Sequence, residues 1–147
     1  MPTRSARTAR NGDLMSGSGQ VELSSSGAGT FDVNFPKRAA DEADGTTSPE
    51  ELVAAAHSAC YAMSLSSLLA EAGGTIHSLD VTADVALGPD KDAGGFKLTG
   101  IKLTARGEIE GLDDAAFTEA ADKAKAGCPI SKALAAVDIS LDAALEG

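Results

Sequence analysis

The alternation of hydrophobic and polar residues predicts several β-strands. Residues such as Val, Leu, Phe and Ile stand at every second position in five runs, as expected for strands with one buried face. A serine- and glycine-rich turn separates the first two runs, and a glycine-containing loop makes the third and fourth a hairpin. The runs cover residues 19–24, 30–35, 76–87, 96–106 and 137–141.

A helical spacing of apolar residues predicts one long helix after the second strand. Ser48 is a suitable N-cap, Pro49 suits the first helical position, and Glu51 completes a capping box. Helix-forming residues continue until the Gly-Gly pair at 73–74. The apolar stripe is built mostly of small residues, so we expect a closely packed neighbour, such as a helix of the same or a second subunit. The stripe consists of Val53, Ala56, Cys60 and Met63.

Two further helices are predicted before the closing strand. Acidic residues at 113–114 begin the first, and basic residues lie in its last turn, as the helix dipole favours. Cys128-Pro129 opens a shorter helix that runs to Ala136. The whole chain, residues 1–147, is therefore predicted to be a single α+β domain with an antiparallel β-sheet and a long central helix.

Composition and charge narrow the class of protein. The 147 residues are 43% hydrophobic but only 3% aromatic, which predicts a globular domain with an aliphatic core. The net charge of −10 argues against nucleic acid as the main partner, because binding a phosphate backbone needs clustered Lys and Arg. No apolar run approaches the roughly 18 residues of a membrane span, so we expect no membrane partner.

The first ten residues carry three arginines, Arg4, Arg7 and Arg10, but no apolar segment follows them. This pattern is not that of a secretory signal, and it resembles a transit peptide only weakly. We therefore expect an exposed edge strand there and a cytoplasmic protein, in which a disulfide-stapled fold would be unusual.

The two cysteines, Cys60 and Cys128, could carry redox chemistry. They form no C-x-x-C pair, and with only His57 and His77 beside them they make a poor zinc site. Cys60 is either an inert core thiol or a nucleophile that needs a nearby cation, since burial raises the pKa of a thiol. Cys128 lies at the start of a predicted helix, whose dipole favours a thiolate. Physical reasoning alone therefore prefers Cys128 as the nucleophile, unless its segment is simply a connector between helices.

Three other polar residues have both a functional and a structural interpretation. Arg38 is either a cation for a thiolate or a solvated charge near the acidic loop 41–45. Glu50 is either a site residue or a carboxylate that merely suits the first helical turn. His57, three residues before Cys60, either accepts a proton on the same face or packs between helices.

Two segments around the cysteines are long enough to be specific. Thr-Ser-Pro-Glu-Glu-Leu at 47–52 is followed by Ala-Ala-His-Ser-Ala-Cys-Tyr-Ala-Met-Ser-Leu at 55–65, and Lys-Ala-Lys-Ala-Gly-Cys-Pro-Ile-Ser stands at 123–131. Together they resemble the OsmC/Ohr family of thiol-dependent hydroperoxide reductases. The resemblance extends over nearly the whole chain, including the order of strands and helices. The histidine before Ser-Ala-Cys is more similar to the osmotically inducible (OsmC) branch than to the organic hydroperoxide resistance (Ohr) branch.

The resemblance implies an enzyme, a peroxidase that reduces organic hydroperoxides to alcohols. The apolar face around Cys60 would favour an alkyl or aryl hydroperoxide, and hydrogen peroxide is the second candidate substrate. Cys60 would form a sulfenic acid and then a disulfide with Cys128, and an external dithiol, such as a lipoylated protein, would reduce that disulfide. Arg38 and Glu50 would be the polar pair that activates Cys60. The resemblance also implies an intertwined homodimer and no metal, haem or flavin.

The family and the helix-end argument thus disagree about which thiol attacks. An Arg38 guanidinium about 4 Å from the Cys60 sulfur would attract its thiolate by roughly 4 kcal/mol at an effective dielectric of ~20, before the cost of desolvation is counted. We therefore assign the attack to Cys60, as the family resemblance implies. Lys37, Arg10 and Arg106 are the alternative cations.

Two other functions stay open: a redox sensor that does not turn over, and a structural or ligand-binding domain with inert cysteines.

Helix geometry adds one expectation about assembly. Glu50 and Cys60 are ten residues apart, or about 15 Å along a straight helix. We therefore expect the Glu50 that serves a given Cys60 to come from the other subunit.

Overall fold

A computed structural model describes residues 1–146, which divide into two units: Met1–Leu52, and a second that begins at Val53. The first unit contains a three-stranded antiparallel sheet in the order β1-β2-β3. All five residues of β1 are exposed at the sheet edge, which confirms the predicted edge strand. The strands are β1 (Arg7–Asn11), β2 (Ser18–Glu22) and β3 (Thr30–Val33).

A short helix, α1 (Phe35–Arg38), follows β3 and was not predicted. The side chain of Asn34 caps it by accepting a hydrogen bond from the Lys37 N–H at 2.9 Å. Pro36 lies in its first turn, where proline is tolerated. The strand therefore ends earlier than its alternating pattern suggested, and Arg38 lies at the carboxyl end of a helical turn.

The long helix α2 (Pro49–Glu71) begins and ends close to the predicted positions. Ser48 Oγ accepts a hydrogen bond from the Glu51 N–H at 3.1 Å, as an N-cap should. The Glu51 carboxylate accepts a hydrogen bond from the Thr47 hydroxyl, so Thr47 is its side-chain partner. At the other end Gly73, with φ +93°, adopts the left-handed conformation that favours glycine and ends the helix.

The second unit also contains a three-stranded sheet, in the order β4-β5-β6. The β4–β5 pair is the predicted antiparallel hairpin, but β5 and β6 are parallel, with Leu103 opposite Leu141. The expected all-antiparallel sheet is therefore wrong for this strand, because two intervening helices form the crossover that a parallel pair requires. The elements are β4 (Thr75–Pro89), β5 (Phe96–Glu110), α3 (Asp114–Gly127), α4 (Pro129–Ala133) and β6 (Ile139–Leu145).

The hydrophobic core of the second unit lies between this sheet and the helices. Alternate residues of β5 supply its floor, and α3 covers it with one aromatic ring and several alanines, in keeping with the low aromatic content. The buried residues are Ile101, Leu103, Ala105 and Ile109 from β5, and Phe117, Ala120, Ala121 and Ala124 from α3.

The stripe of α2 that enters this core differs from the predicted one. It consists of His57, Tyr61, Leu65 and Leu69, all fully buried. Met63, by contrast, is 72% exposed, and Ala56 is exposed. Tyr61, Leu65 and Leu69 each bury more apolar area than an alanine would, which favours this stripe as the inner face. The predicted stripe of small residues is left as a partly exposed face of the chain.

By length and composition alone, α2 could cross a membrane, because an 18-residue window has a mean hydropathy of 1.4 with 22% of it buried. The expectation that no apolar run is long enough to span a membrane is therefore wrong for α2. Tyr61, Leu65 and Leu69 of this helix pack in the hydrophobic core of the second unit. That packing is the one a core helix makes.

Candidate active site

The second unit brings the two cysteines together, although 68 positions separate them along the chain. Cys60 lies in the middle of α2, and Cys128 lies at the junction of α3 and α4. Both are free thiols, with their sulfur atoms 3.0 Å apart. A disulfide needs a separation of about 2 Å, so a shift of about one ångström joins them. The pair is therefore suited to reversible disulfide formation.

Exposure to solvent distinguishes the two thiols. Cys128 is fully buried at 0% exposure, whereas Cys60 is only partly buried. A molecule that arrives from solvent therefore reaches Cys60 first, and Cys128 lies behind it.

The surroundings of the two thiols shift their pKa values in opposite directions. Burial raises the pKa of Cys60, and its hydrogen bond with Cys128 raises it further, against smaller opposing effects of the Ile130 N–H and the Ser64 hydroxyl. Burial would also raise the pKa of Cys128, but the hydrogen bond with Cys60 and the polar groups of Ser131 and Ile130 outweigh it, so this pKa is lowered. In this environment Cys60 needs a cation to ionise, as the sequence argument anticipated.

The first unit holds a tightly formed ion pair between Arg38 and Glu50. The Arg38 Nε donates to both carboxylate oxygens of Glu50 at 3.1 Å, and Nη2 donates to Oε1 at 2.7 Å. Burial alone would raise the pKa of Glu50, but the hydrogen bonds and charge of Arg38 outweigh burial and lower it. These same hydrogen bonds raise the pKa of Arg38. Arg38 is thus a fixed cation at a carboxylate that is 9% exposed, not a solvated charge.

The alternative cations have other partners. Lys37 forms an ion pair with Asp44 in the acidic loop. Arg10 donates to the carbonyl oxygens of Asp13 at 2.8 Å and Leu14 at 3.1 Å. Arg106 pairs with Asp142 on β6 at 3.2 Å. Of the candidate cations, Arg38 is the one held against Glu50.

His57 and Ser131 form a buried contact that the sequence analysis did not find. His57 is neither on the exposed side of α2 nor bonded to Cys60; its Nε2 lies 2.7 Å from Ser131 Oγ. The signal for Ser131 was its place in the segment 123–131, three residues after Cys128. Within residues 1–146, no group of three or more His, Cys, Asp or Glu side chains could hold a metal ion.

A helix packed on a sheet, with one accessible and one buried thiol in contact, defines a dithiol redox protein. The comparisons with known proteins agree. The family model described as OsmC-like protein matches residues 41–142. Over 131 residues the chain is 44% identical to Peroxiredoxin OsmC of Escherichia coli (strain K12), covering 89% of this chain and 88% of that protein. The chain therefore belongs to the OsmC family, which confirms the resemblance drawn from the two cysteine segments.

More distant relatives agree with this assignment. Organic hydroperoxide resistance protein-like 2 of Staphylococcus epidermidis is 32% identical over 117 residues, covering 77% of this chain and 80% of that protein. An organic hydroperoxide resistance protein from Elizabethkingia anophelis matches with a TM-score of 0.80 and 28% identity, covering 99% and 98% of the two chains. OhrB of Bacillus subtilis matches with a TM-score of 0.73 and 28% identity, covering 95% and 97%. The predicted OsmC/Ohr-like α+β fold is confirmed.

Proposed function

We propose that this protein is an enzyme, a thiol-dependent peroxidase that reduces organic hydroperoxides to alcohols. The observation that carries the proposal is the contact between Cys60, which solvent can reach, and the buried Cys128, with 3.0 Å between their sulfur atoms. The names of its relatives, peroxiredoxin and organic hydroperoxide resistance protein, support the same reaction class.

The catalytic cycle has three steps. The Cys60 thiolate attacks the distal oxygen of the hydroperoxide, the O–O bond breaks, and the alkoxide leaves as alcohol after taking a proton. Cys60 is then a sulfenic acid. The Cys128 thiolate attacks that sulfur and releases water, leaving the Cys60–Cys128 disulfide. An external dithiol, for which a lipoylated protein is our candidate, reduces the disulfide by thiol exchange.

Arg38 and Glu50 activate Cys60 in this proposal. The guanidinium supplies the positive charge that a desolvated thiolate needs, and the Glu50 carboxylate fixes its planar fork. Because Glu50 and Cys60 are about 15 Å apart along one helix, the pair serves the Cys60 of a second copy. We therefore propose a homodimer whose sites need both chains. The small-residue face of α2, where Ala56 and Met63 are exposed, is suited to a closely packed partner.

The surroundings of Cys60 favour an apolar substrate. Cys60 packs against the hydrophobic core cluster of the second unit. We therefore expect the site to bind an alkyl or aryl hydroperoxide better than hydrogen peroxide. Hydrogen peroxide is the second candidate substrate. We further propose that residues 1–147 act as a single OsmC-like domain, and that it works in the cytoplasm, where reductants return disulfides to thiols.

The test is steady-state reduction of tert-butyl, cumene and hydrogen peroxide, with dithiothreitol or dihydrolipoamide compared against a monothiol. We expect sustained turnover with the dithiols and faster reduction of the organic peroxides. A protein that consumes one equivalent and then stops would be a redox sensor. A protein whose thiols do not react with any peroxide would be a structural or ligand-binding domain.

Single cysteine variants identify which thiol attacks. We expect Cys60→Ser to consume no peroxide and Cys128→Ser to consume about one equivalent, leaving a sulfenic acid that a dimedone probe traps. The opposite result would mean that the acidic thiol at the start of α4 is the nucleophile and that the assignment of roles is wrong.

A further inference from the structure

A buried polar pair lies beside the resolving thiol. His57 comes from α2 and Ser131 from α4, 74 positions apart along the chain, and their side chains meet at 2.7 Å. His57 is 0% exposed and Ser131 is 5% exposed. Burying two polar side chains is unfavourable unless they bond each other or serve a third group. Ser131 also stands one helical turn after Cys128, in the short helix that Cys128 begins.

The hydrogen-bond network fixes the orientation of the pair. Burial lowers the pKa of His57, so the ring is neutral at physiological pH and carries a single N–H. Among residues 1–146, Nδ1 has no hydrogen-bond partner, whereas Nε2 faces the Ser131 oxygen. The hydrogen is therefore assigned to Nε2, which donates to Ser131 Oγ. The hydroxyl hydrogen of Ser131 is then free to point at another acceptor.

The position of Ser131 in α4 makes the Cys128 sulfur the candidate acceptor for that hydrogen. Ser131 is the third residue of α4, one turn after Cys128, which is the N-cap of that helix. No cap hydrogen bond joins the backbone to the Cys128 side chain, but the N–H and the hydroxyl of Ser131 both act to lower the pKa of Cys128. When the Ser131 oxygen accepts a hydrogen bond from His57, the hydroxyl hydrogen is available to donate to a Cys128 thiolate.

We propose that His57 and Ser131 are positioning residues for the resolving step: His57 holds the Ser131 hydroxyl so that it donates to the Cys128 thiolate. The inference rests on the proposed function. Cys128 loses its proton, its thiolate attacks the sulfur of the Cys60 sulfenic acid, and the S–O bond breaks as the S–S bond forms. The departing hydroxide takes up a proton and leaves as water, so the step needs no further oxidant or reductant.

Other titratable groups facing Cys128 come from α2 and are few among the described residues. They are Cys60, which is hydrogen-bonded to Cys128, and Tyr61. Burial raises the pKa of Tyr61, so its phenol stays neutral. Asp122 on α3 acts on Tyr61. Replacing Cys60 by serine leaves Cys128 as the single cysteine of the chain, so its ionisation can be followed alone.

The first test follows thiolate absorbance against pH in the Cys60→Ser protein. We expect the added substitution Ser131→Ala or His57→Leu to raise the Cys128 pKa by about one unit, because a thiolate loses one hydrogen bond. Ser131→Thr keeps the hydroxyl, and His57→Gln keeps a donor at the position of Nε2; both should preserve the pKa. Ser66→Ala is the matched control, since Ser66 is a half-buried serine of α2 bonded to the Ala62 carbonyl at 2.8 Å.

The second test separates the two chemical steps in the two-cysteine protein treated with tert-butyl hydroperoxide. Ser131→Ala and His57→Leu should leave sulfenic acid formation unchanged and slow disulfide formation about tenfold at neutral pH. The rate should recover at alkaline pH, where the thiol ionises unaided; a merely structural defect would persist at every pH. Ser131→Ala removes one oxygen atom and decides the question if His57→Leu does not fold.

Two results would overturn the inference: an unchanged Cys128 pKa in Ser131→Ala, or slow disulfide formation that alkaline pH does not restore. Failure of the proposed function looks different. In that case the unsubstituted protein forms no sulfenic acid with any peroxide, while the thiolate titration still decides the role of Ser131.

Discussion

The guanidinium of Arg38 is held in one orientation by its hydrogen bonds to Glu50. It contacts both oxygens of Glu50, and the lowered pKa of that carboxyl keeps the pair ionised through neutral pH. Lysine would keep the positive charge but lose the planar fork that binds a carboxylate on two oxygens. Replacing Arg38 by lysine would therefore remove the two-oxygen contact with Glu50 while keeping the positive charge.

We expect Arg38→Lys to lower the rate of the peroxide reaction at neutral pH by at least tenfold. Losing the oriented cation raises the Cys60 pKa by about one unit or more, so fewer molecules carry a thiolate at neutral pH and the rate profile moves to higher pH. Stopped-flow measurements across pH check this. Lys37→Gln is the matched control, because Lys37 pairs with Asp44 in the loop. An unchanged Arg38→Lys profile would assign activation to Lys37, Arg10 or Arg106.

A buried hydrogen bond, as well as apolar packing, holds α2 to α3. The Tyr61 hydroxyl donates to the Ala121 carbonyl at 3.0 Å. Tyr61 directly follows Cys60 in α2, and Ala121 lies in α3, the helix that leads to Cys128. This bond joins the two elements that carry the thiols.

Removing that hydroxyl in Tyr61→Phe should lower the free energy of unfolding by about 1 kcal/mol, the net value of a typical buried hydrogen bond. Urea denaturation followed by circular dichroism measures the change. Ser67→Ala, which removes an exposed hydroxyl from the same helix, should alter stability by less than about 0.5 kcal/mol. Equal effects of the two substitutions would mean that the bond to Ala121 contributes nothing specific.

The elements also show what the sequence could and could not predict. Capping residues and Gly73 located α2 well, since these signals are local. The direction of β6 and the buried stripe of α2 depend on packing between distant segments, which local periodicity does not contain. The same holds for the site. The cysteine segments identified Cys60 and Cys128, whereas the contact of His57 with Ser131 joins residues 74 positions apart and has no local signature.

The separation of Glu50 and Cys60 along α2 bears on whether one chain can build a complete site. The rise of an α-helix places Glu50 and Cys60 about 15 Å apart, and no proline or glycine between Leu52 and Glu71 offers a cause for a sharp bend. The exposed small-residue face of α2 is where a second copy could approach closely. The proposed catalytic unit of two chains therefore rests on the length of one straight helix.

Mixing two inactive variants tests this arrangement. Glu50→Ala and Cys60→Ser chains, unfolded together and refolded, should form heterodimers in which one site combines an intact Cys60 with an intact Glu50 from the other chain. We expect up to half of the unsubstituted activity per heterodimer, measured after separating the species by differently charged tags. The matched control mixes Glu50→Ala with Arg38→Lys, which alter the same pair and should leave no fully intact pairing of all three groups. Heterodimers of Glu50→Ala and Cys60→Ser as inactive as their parents would mean that each chain uses its own Glu50.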